Sequence, residues 1–583
     1  MKIRSSKWLQ CNDACTALAE ASAACRTLLA VAFGLSWAGA ASAGYIGESF
    51  LQVPDVSGGW PGEKYKNWVK FEAREWTETP TCAARQKNPN ALVCDERFFV
   101  PAESHLFFSS PLAPPSGSGK LAVALDKRSP ALKGLMDLCQ RRATIPELTY
   151  AESAERSRLI GEVGPRPTDV PEYFEYKLKN VQLSCPVIPA AAEQAFVLSF
   201  DDIAWLNFHG DSKIRKLAVS ARPARLPPRP ANGESRTFLI SWVMSSAGYS
   251  PKECPHLTKE PTEADYFALL SKEAAAKGKV ELEQRGGLPA LGSGIALRGP
   301  DRLNVCALPG IVADPGNAGP ESEVAEGFDL DGYDGRGELP PLVHRHKNYV
   351  SADGRPGIDN QLYTVEACVP GFRPDGNIPK IVNEMMRNGA LSILLEISGI
   401  DDAQNDDSVV VTVLYGKDRM LKTADGKQVL PNYTFRIADD PEWTQYFTRL
   451  QGRIRNGVVV TDPIDEMTFQ DGGQRAFKLF DAHMRIELLP DNKIRAVVGG
   501  YHDWRARMTN WARSRILEPT MRFQCPGLYN AFKRAADGLR DPVTGEFNGI
   551  SVAYELEGIR AFIPPAQVAA MSARDQDDAQ KTR

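Results

Sequence analysis

Carboxylates recur in the second half of this 583-residue chain at a spacing that suits a hard cation. Asp329, Asp331 and Asp334 stand two and three residues apart, with Gly332, Gly335 and Gly337 among or after them. A second run holds Asp353, Gly354, Gly357, Asp359 and Asn360, and a third holds Asp401, Asp402, Asn405, Asp406 and Asp407. Calcium needs several oxygens converging within a small radius, and aspartates on a glycine-bent loop supply them without steric conflict. The expected calcium ligands are Asp329, Asp331, Asp334, Asp353, Asp359 and Asn360. The first loop is not an EF-hand, because Pro340 occupies the place of the final bidentate glutamate. The competing reading is that these residues simply make turns, their side chains bonding nearby backbone.

A second chemistry would use Glu396 with Asp401 or Asp402 as an acid/base carboxylate pair on a concave sheet. Other catalytic signatures fail. The chain has no His-Glu-x-x-His and no Gly-x-Ser-x-Gly elbow. Gly117-Ser-Gly119-Lys120 lacks both the leading glycine and the hydroxyl of a phosphate-binding loop, since those places hold Pro114 and Leu121. His344 and His346 fall on one side of a strand and would suit a metal. They lack a third ligand, and Arg345 and Lys347 beside them favour a solvated basic loop.

The elements that must carry these residues are mostly strands. Leu121–Asp126 is a strand, and Ser129-Pro130 then opens a helix, serine suiting the cap and proline the first turn. Leu132, Leu135, Met136 and Cys139 line one face of that helix. In the next strand Phe174, Tyr176 and Leu178 alternate with Glu175, Lys177 and Lys179. In another, Phe196, Leu198 and Phe200 alternate with Val197, Ser199 and Asp201, ahead of Ile203-Ala-Trp205. Upstream, Phe50-Leu-Gln-Val-Pro-Asp-Val56 and the run Trp68–Trp76 supply two more strands.

This order resembles Hcp, the hemolysin-coregulated tube protein of type VI secretion, over roughly residues 45–210. The resemblance implies a small β-barrel with one helix and a tendency to assemble as homo-oligomeric rings. Heterologous ring contacts close only where the rotation fits. The chain departs from tube proteins in three ways: an N-terminal export signal, an insertion over 77–118, and a large C-terminal fusion.

The whole chain therefore reads as mainly β. A signal peptide over 1–43 shows an apolar run from Leu28 to Trp37 and Ala41-Ser42-Ala43 as cleavage site. The barrel occupies 44–220, and a linker over 221–235 has prolines at 223, 227, 228 and 230. A larger domain over 236–570 is expected as a β-sandwich or jelly roll with helical insertions, followed by a disordered tail over 571–583. Its predicted strands are Thr237–Met244, Ser392–Ile397, Val409–Tyr415, Tyr433–Ile437, Gly457–Val460, Ala476–Phe480, Met484–Leu489 and Ile494–Gly499. Helices are expected over Thr262–Lys277, around Trp504–Trp511 and around Leu528–Leu539. No later segment is long and apolar enough for a transmembrane helix.

Cysteine usage agrees with export: Cys11, Cys15 and Cys25 fall in the leader, leaving an even number of the 11 for the mature chain. Cys82 and Cys94 suit a local disulfide, while the pairing of the others is open between bridges and buried thiols. With 69 basic against 73 acidic residues and no basic stripe, nucleic acid is excluded as a main partner. Two function classes remain. One is an exported, periplasmic or secreted, non-catalytic assembly protein carrying a binding domain for a protein or glycan. The other is a secreted calcium-supported hydrolase of a glycan or other polymer, with Glu396 and Asp401 as catalytic residues.

Overall fold

The computed structural model describes residues 45–571 apart from 63–64, 79–116, 154–172, 187–190, 209–228, 231, 246–252, 341–342, 374–375, 389–391, 439–446, 471–475, 514–524 and 542–543; of 259–307 it describes only 272, 276 and 280. The leader, the Cys82–Cys94 loop, most of the linker, nearly all of the Thr262–Lys277 helix and the tail from 572 lie outside the described residues.

The first unit comprises β1 (Tyr45–Gln52), β2 (Val69–Glu78), β3 (Gly119–Asp126), helix α1 (Leu132–Gln140), β4 (Thr144–Ser153), β5 (Tyr173–Ser184), β6 (Glu193–Phe200) and β7 (Asp202–Phe208). Antiparallel pairing runs β4-β1-β2-β3-β6-β5, and β5 pairs again with β4. Six strands thus close into a barrel, and β7 extends from β5 outside the ring. Alternation explains the closure, because successive side chains point to opposite faces. Leu121, Val123 and Leu125 pack with Leu148, Tyr150, Tyr176, Leu178, Phe196 and Leu198 in one buried cluster. Helix α1 lays Leu135, Leu132 and Met136 on that cluster. Ser129 accepts from the Ala131 amide at 3.3 Å, so its hydroxyl serves the turn before the helix.

The second unit begins with β8 (Glu234–Ser245), then α2 (Gln361–Glu366), α3 (Asn377–Asn388), β9 (Ser392–Ile400), β10 (Asn405–Gly416) and β11 (Tyr433–Thr434). It continues through β12 (Thr448–Arg455), β13 (Val458–Thr461), β14 (Ile464–Gln470), β15 (Ala476–Leu488) and β16 (Lys493–Asp503). Helices α4 (Trp504–Arg513) and α5 (Cys525–Ala535) and strands β17 (Gly538–Arg540) and β18 (Phe547–Phe562) complete it. The mainly β expectation holds, but the expected two-layer sandwich is corrected. The order β18-β16-β15-β13-β12-β10-β9-β8 closes on itself through β18 and β8, giving an eight-stranded antiparallel barrel. Closure removes the free edges that two separate sheets would leave.

Two further corrections are local. The strands expected at Ala476–Phe480 and Met484–Leu489 are one strand, β15, bulged between Phe480 and His483 where Asp481 takes φ 49°. Leu539, expected on the last helix, lies on β17.

The two barrels share a core. Ala73, Ala122, Ala124, Ala195 and Val197 face away from the first barrel's interior and belong to the main apolar cluster of the second unit. Small side chains on that face let the backbones approach closely. Glu193 on β6 is buried there, accepting from the Tyr529 hydroxyl of α5 at 2.7 Å, and its carboxyl fills the space a side chain at Gly310 would need. Burial, with Glu72 nearby, pushes the Glu193 carboxyl up to about 7 despite Lys533 and the Tyr529 bond.

A candidate carboxylate–histidine site

The loop from 323 to 360 is stitched by single bridges, Val324 with Val350, Phe328 with Asp359, and Tyr349 with Ile358. Phe328 and Leu330 hold it on the second barrel by packing against Val497 of β16 and Ala553 of β18. These residues alternate with Ala496, Val498, Val552 and Tyr554, which belong to the main core, so the loop crosses the opposite face of β16 and β18.

Asp359, fully buried, is the centre of this loop. Its Oδ2 accepts from the Leu330 amide at 2.7 Å and the Asp331 amide at 3.3 Å. Its Oδ1 lies 2.8 Å from His346 Nε2. The side-chain amide of Asn348, oriented with its nitrogen toward Asp359 so that both ends are satisfied, donates to the same Oδ1 at 2.9 Å and to the Tyr333 carbonyl while accepting from the Gly335 amide. His346 Nδ1 lies 2.7 Å from the His344 carbonyl. Both imidazole nitrogens therefore face oxygen acceptors, and only the doubly protonated ring, or a ring with a cation at Nε2, satisfies both. Burial opposes the charge, yet the Asp359 bond, the Asp537 and Asp359 charges and the His344 carbonyl together push His346 up to about 9.

Asp331 completes the group. Its Oδ1 accepts from the Tyr333 amide at 2.8 Å, but its Oδ2 is buried, 3.8 Å from His346 Nε2, and accepts no hydrogen bond among the described residues. Asp537, just before β17, lies close enough to interact electrostatically with His346 and Asp359. One of its oxygens accepts from the Ser551 amide at 2.7 Å; the other, also buried, accepts nothing among the described residues. Desolvation pushes Asp537 up to about 7, and desolvation followed by Asp359 raises Asp331. One oxygen each from Asp331 and Asp359 and one nitrogen of His346 lie within 4.8 Å of one another, the one such group among the described residues.

The structure thus joins only Asp331 and Asp359 of the six expected calcium ligands into this group. Asp329 and Asp334 bond the Gly332 and Arg336 amides at 2.7 and 3.0 Å, making turns. Asp353 pairs with Arg355 at 2.9 Å. Asn360 caps α2, accepting from Tyr363 N at 3.0 Å and donating to the Glu326 carbonyl at 2.8 Å. Gly357 allows the two acidic runs to meet: a side chain there would press on Asp334 and Asp329.

Glu396 and Asp401 do not form a pair in a cleft. Glu396, on β9, is 1% exposed and gripped at both oxygens by Arg229, at 2.8 and 3.1 Å. Asp401 is exposed in the β9–β10 turn, where its amide bonds Asp406. His346 corrects the basic-loop reading: Arg345 is exposed, but His346 points inward with only 3% of its side chain exposed. Asn348, Asp537 and Ser551 escaped sequence reasoning. The even spacing of His344, His346 and Asn348 was the available signal.

Among the described residues no helix is long and apolar enough to cross a membrane. The chain matches no model of a known protein family and no curated protein. Among solved structures it is similar to Hcp2 from Salmonella typhimurium, with 9% identity over 27% of this chain and 80% of that chain, at a TM-score of 0.15. Hcp1 from Salmonella typhimurium gives 13% identity, 28% and 83% coverage and a TM-score of 0.16. Hcp1 from E. coli gives 13% identity, 28% and 93% coverage and 0.18. At scores of this size the likeness adds nothing to what strand pairing shows. Fold and site together define a mainly β protein of two fused antiparallel barrels with a buried carboxylate–histidine group on the second.

Proposed function

We propose that this protein is an exported, non-catalytic assembly or binding protein that works in the periplasm or outside the cell. The observation that carries the reading is a disulfide in each unit. Cys139 of α1 is bonded to Cys185 just after β5, and Cys254 to Cys368 beside the acidic loop. Cys525 is disulfide-bonded as well. Such bridges form and persist in oxidising compartments.

The first barrel is packed solid with side chains, so its work falls to its surface. One face is taken by the second unit, and among the described residues β7 pairs on one side only, with β5. An open strand edge is a template for another chain. The resemblance of residues 45–210 to Hcp in the order of their motifs supports homo-oligomerisation through this barrel, in a type VI secretion setting. The second barrel would then carry the ligand-binding face, for a protein or a glycan.

The test is a thiol count under denaturing conditions on protein recovered from its native compartment, with light scattering on the same sample. The expected result is no free thiol at Cys139, Cys185, Cys254 or Cys368 in a periplasmic or secreted fraction. Free thiols in a cytoplasmic fraction would refute export, and a strictly monomeric protein at high concentration would refute assembly.

A further inference from the structure

We propose that Asp331, His346 and Asp359 form a buried site for one divalent first-row transition ion, of which Zn²⁺ is the best fit, and that this ion pins the acidic loop to the second barrel.

Ligands standing about 2.0–2.2 Å from a tetrahedral ion lie about 3.3–3.6 Å from one another. The observed separations of 2.8 Å (His346 Nε2 to Asp359 Oδ1) and 3.8 Å (His346 Nε2 to Asp331 Oδ2) stand on either side of that range. All three atoms lie within 4.8 Å of one another, so side-chain shifts of about an ångström bring them to it.

The surroundings already have the form of a metal site's outer shell. A ligating histidine ordinarily donates its second ring N–H to a carbonyl or carboxylate, and His346 Nδ1 meets the His344 carbonyl at 2.7 Å. Asp359 is oriented by two backbone amides and by Asn348. The independent sign of a missing cation is Asp331 Oδ2. Its side chain is 8% exposed, yet that oxygen accepts no hydrogen bond among the described residues and points toward His346. A second buried oxygen without a donor, on Asp537, belongs to a carboxylate acting electrostatically on the same imidazole. A buried carboxylate oxygen without a donor calls for an explanation, and a bound ion supplies one.

One imidazole with carboxylates suits zinc and its neighbours, whereas calcium takes six to eight oxygens. Ligand side chains with 3%, 8% and 0% exposure make the ion structural.

The experiment uses the full mature chain, stripped with a chelator and then offered Zn²⁺, Mn²⁺ or Ca²⁺ singly. Bound metal is counted by mass spectrometry and melting is followed by scanning calorimetry. Zn²⁺ is expected to bind one per chain and to raise the melting temperature by about 5 °C at a hundredfold excess over Kd. Asp331→Asn removes a charge without removing the Oδ1 turn bond. It should bind Zn²⁺ at least tenfold more weakly while the stripped variant melts no lower than stripped wild type, so a folding defect cannot mimic the result. Asp334→Asn, outside the group, should bind like wild type. With Co²⁺, the visible absorption bands of the wild type should change in His346→Gln. The proposal is overturned if no transition ion binds, if Asp331→Asn binds Zn²⁺ as wild type does, or if Ca²⁺ alone raises the melting temperature.

Discussion

Single residues here show how burial converts an ordinary carboxyl into a determinant of stability. Glu193 sits between the barrels with one oxygen on Tyr529 and the other without a donor among the described residues. Its pKa is raised from 4.5 to about 7, so the folded state holds the proton more tightly than the unfolded chain. The contribution is therefore present below pH 4.5 and lost as pH rises through 7, by roughly 3 kcal/mol in all. Glu193→Gln keeps the shape and the Tyr529 bond without the charge. Denaturant unfolding should find it more stable than wild type at pH 8 and no more stable at pH 4.5; an equal gain at both pH values would contradict the assignment. Glu396 is buried as one half of an ion pair, held by Arg229 at 2.8 and 3.1 Å. Arg229→Ala leaves that carboxylate buried and unpaired and should lower unfolding free energy by about 3–5 kcal/mol. A silent substitution would show the pair to be incidental.

At the level of elements, legibility followed burial pattern. Strand β5 was readable because one face is apolar and the other polar, as at Tyr176 and Leu178 against Glu175 and Lys177, whereas β6 is buried on both faces and showed itself by Phe196, Leu198 and Phe200 at every second place. Strand β18 was missed. Glu555, Glu557 and the glycines at 549 and 558 interrupt its apolar alternation, although Val552, Tyr554 and Leu556 are in the core. Gly558 is there because a side chain would collide with Ile494, next to a bulge against β8. The site was half legible. Asp331 and Asp359 stood out as loop carboxylates, but Asp537 joins them across a gap in sequence that only the folded barrel closes, and no spacing rule reaches that far. The Cys254–Cys368 bridge ties the same region, spanning 114 residues. Loop-closure entropy assigns it roughly 4–5 kcal/mol. Cys254→Ser with Cys368→Ser should therefore lower the calorimetric melting temperature by several degrees, and an unchanged melting temperature would deny the bridge a stabilising role.

For the whole molecule, the alanine face between the barrels decides whether two units act as one. Ala124→Glu would bury an unpaired charge in the apolar cluster that the two units share, and Ala122→Leu would overfill the gap at about 1–3 kcal/mol. Either change should split a single calorimetric transition into two, with limited proteolysis cutting between the barrels; a single unaltered transition would show that this face does not govern the coupling of the units. The second ring is sealed by its first and last strands, β8 and β18, which are separated by nearly the whole of that unit. A nascent polypeptide moving from amino to carboxyl end can thus assemble its leading barrel early, while the trailing one must wait with raw margins until its final segment emerges. Any ribosomal stall or clipping before residue 547 would strand an adhesive intermediate for chaperones or proteases to clear.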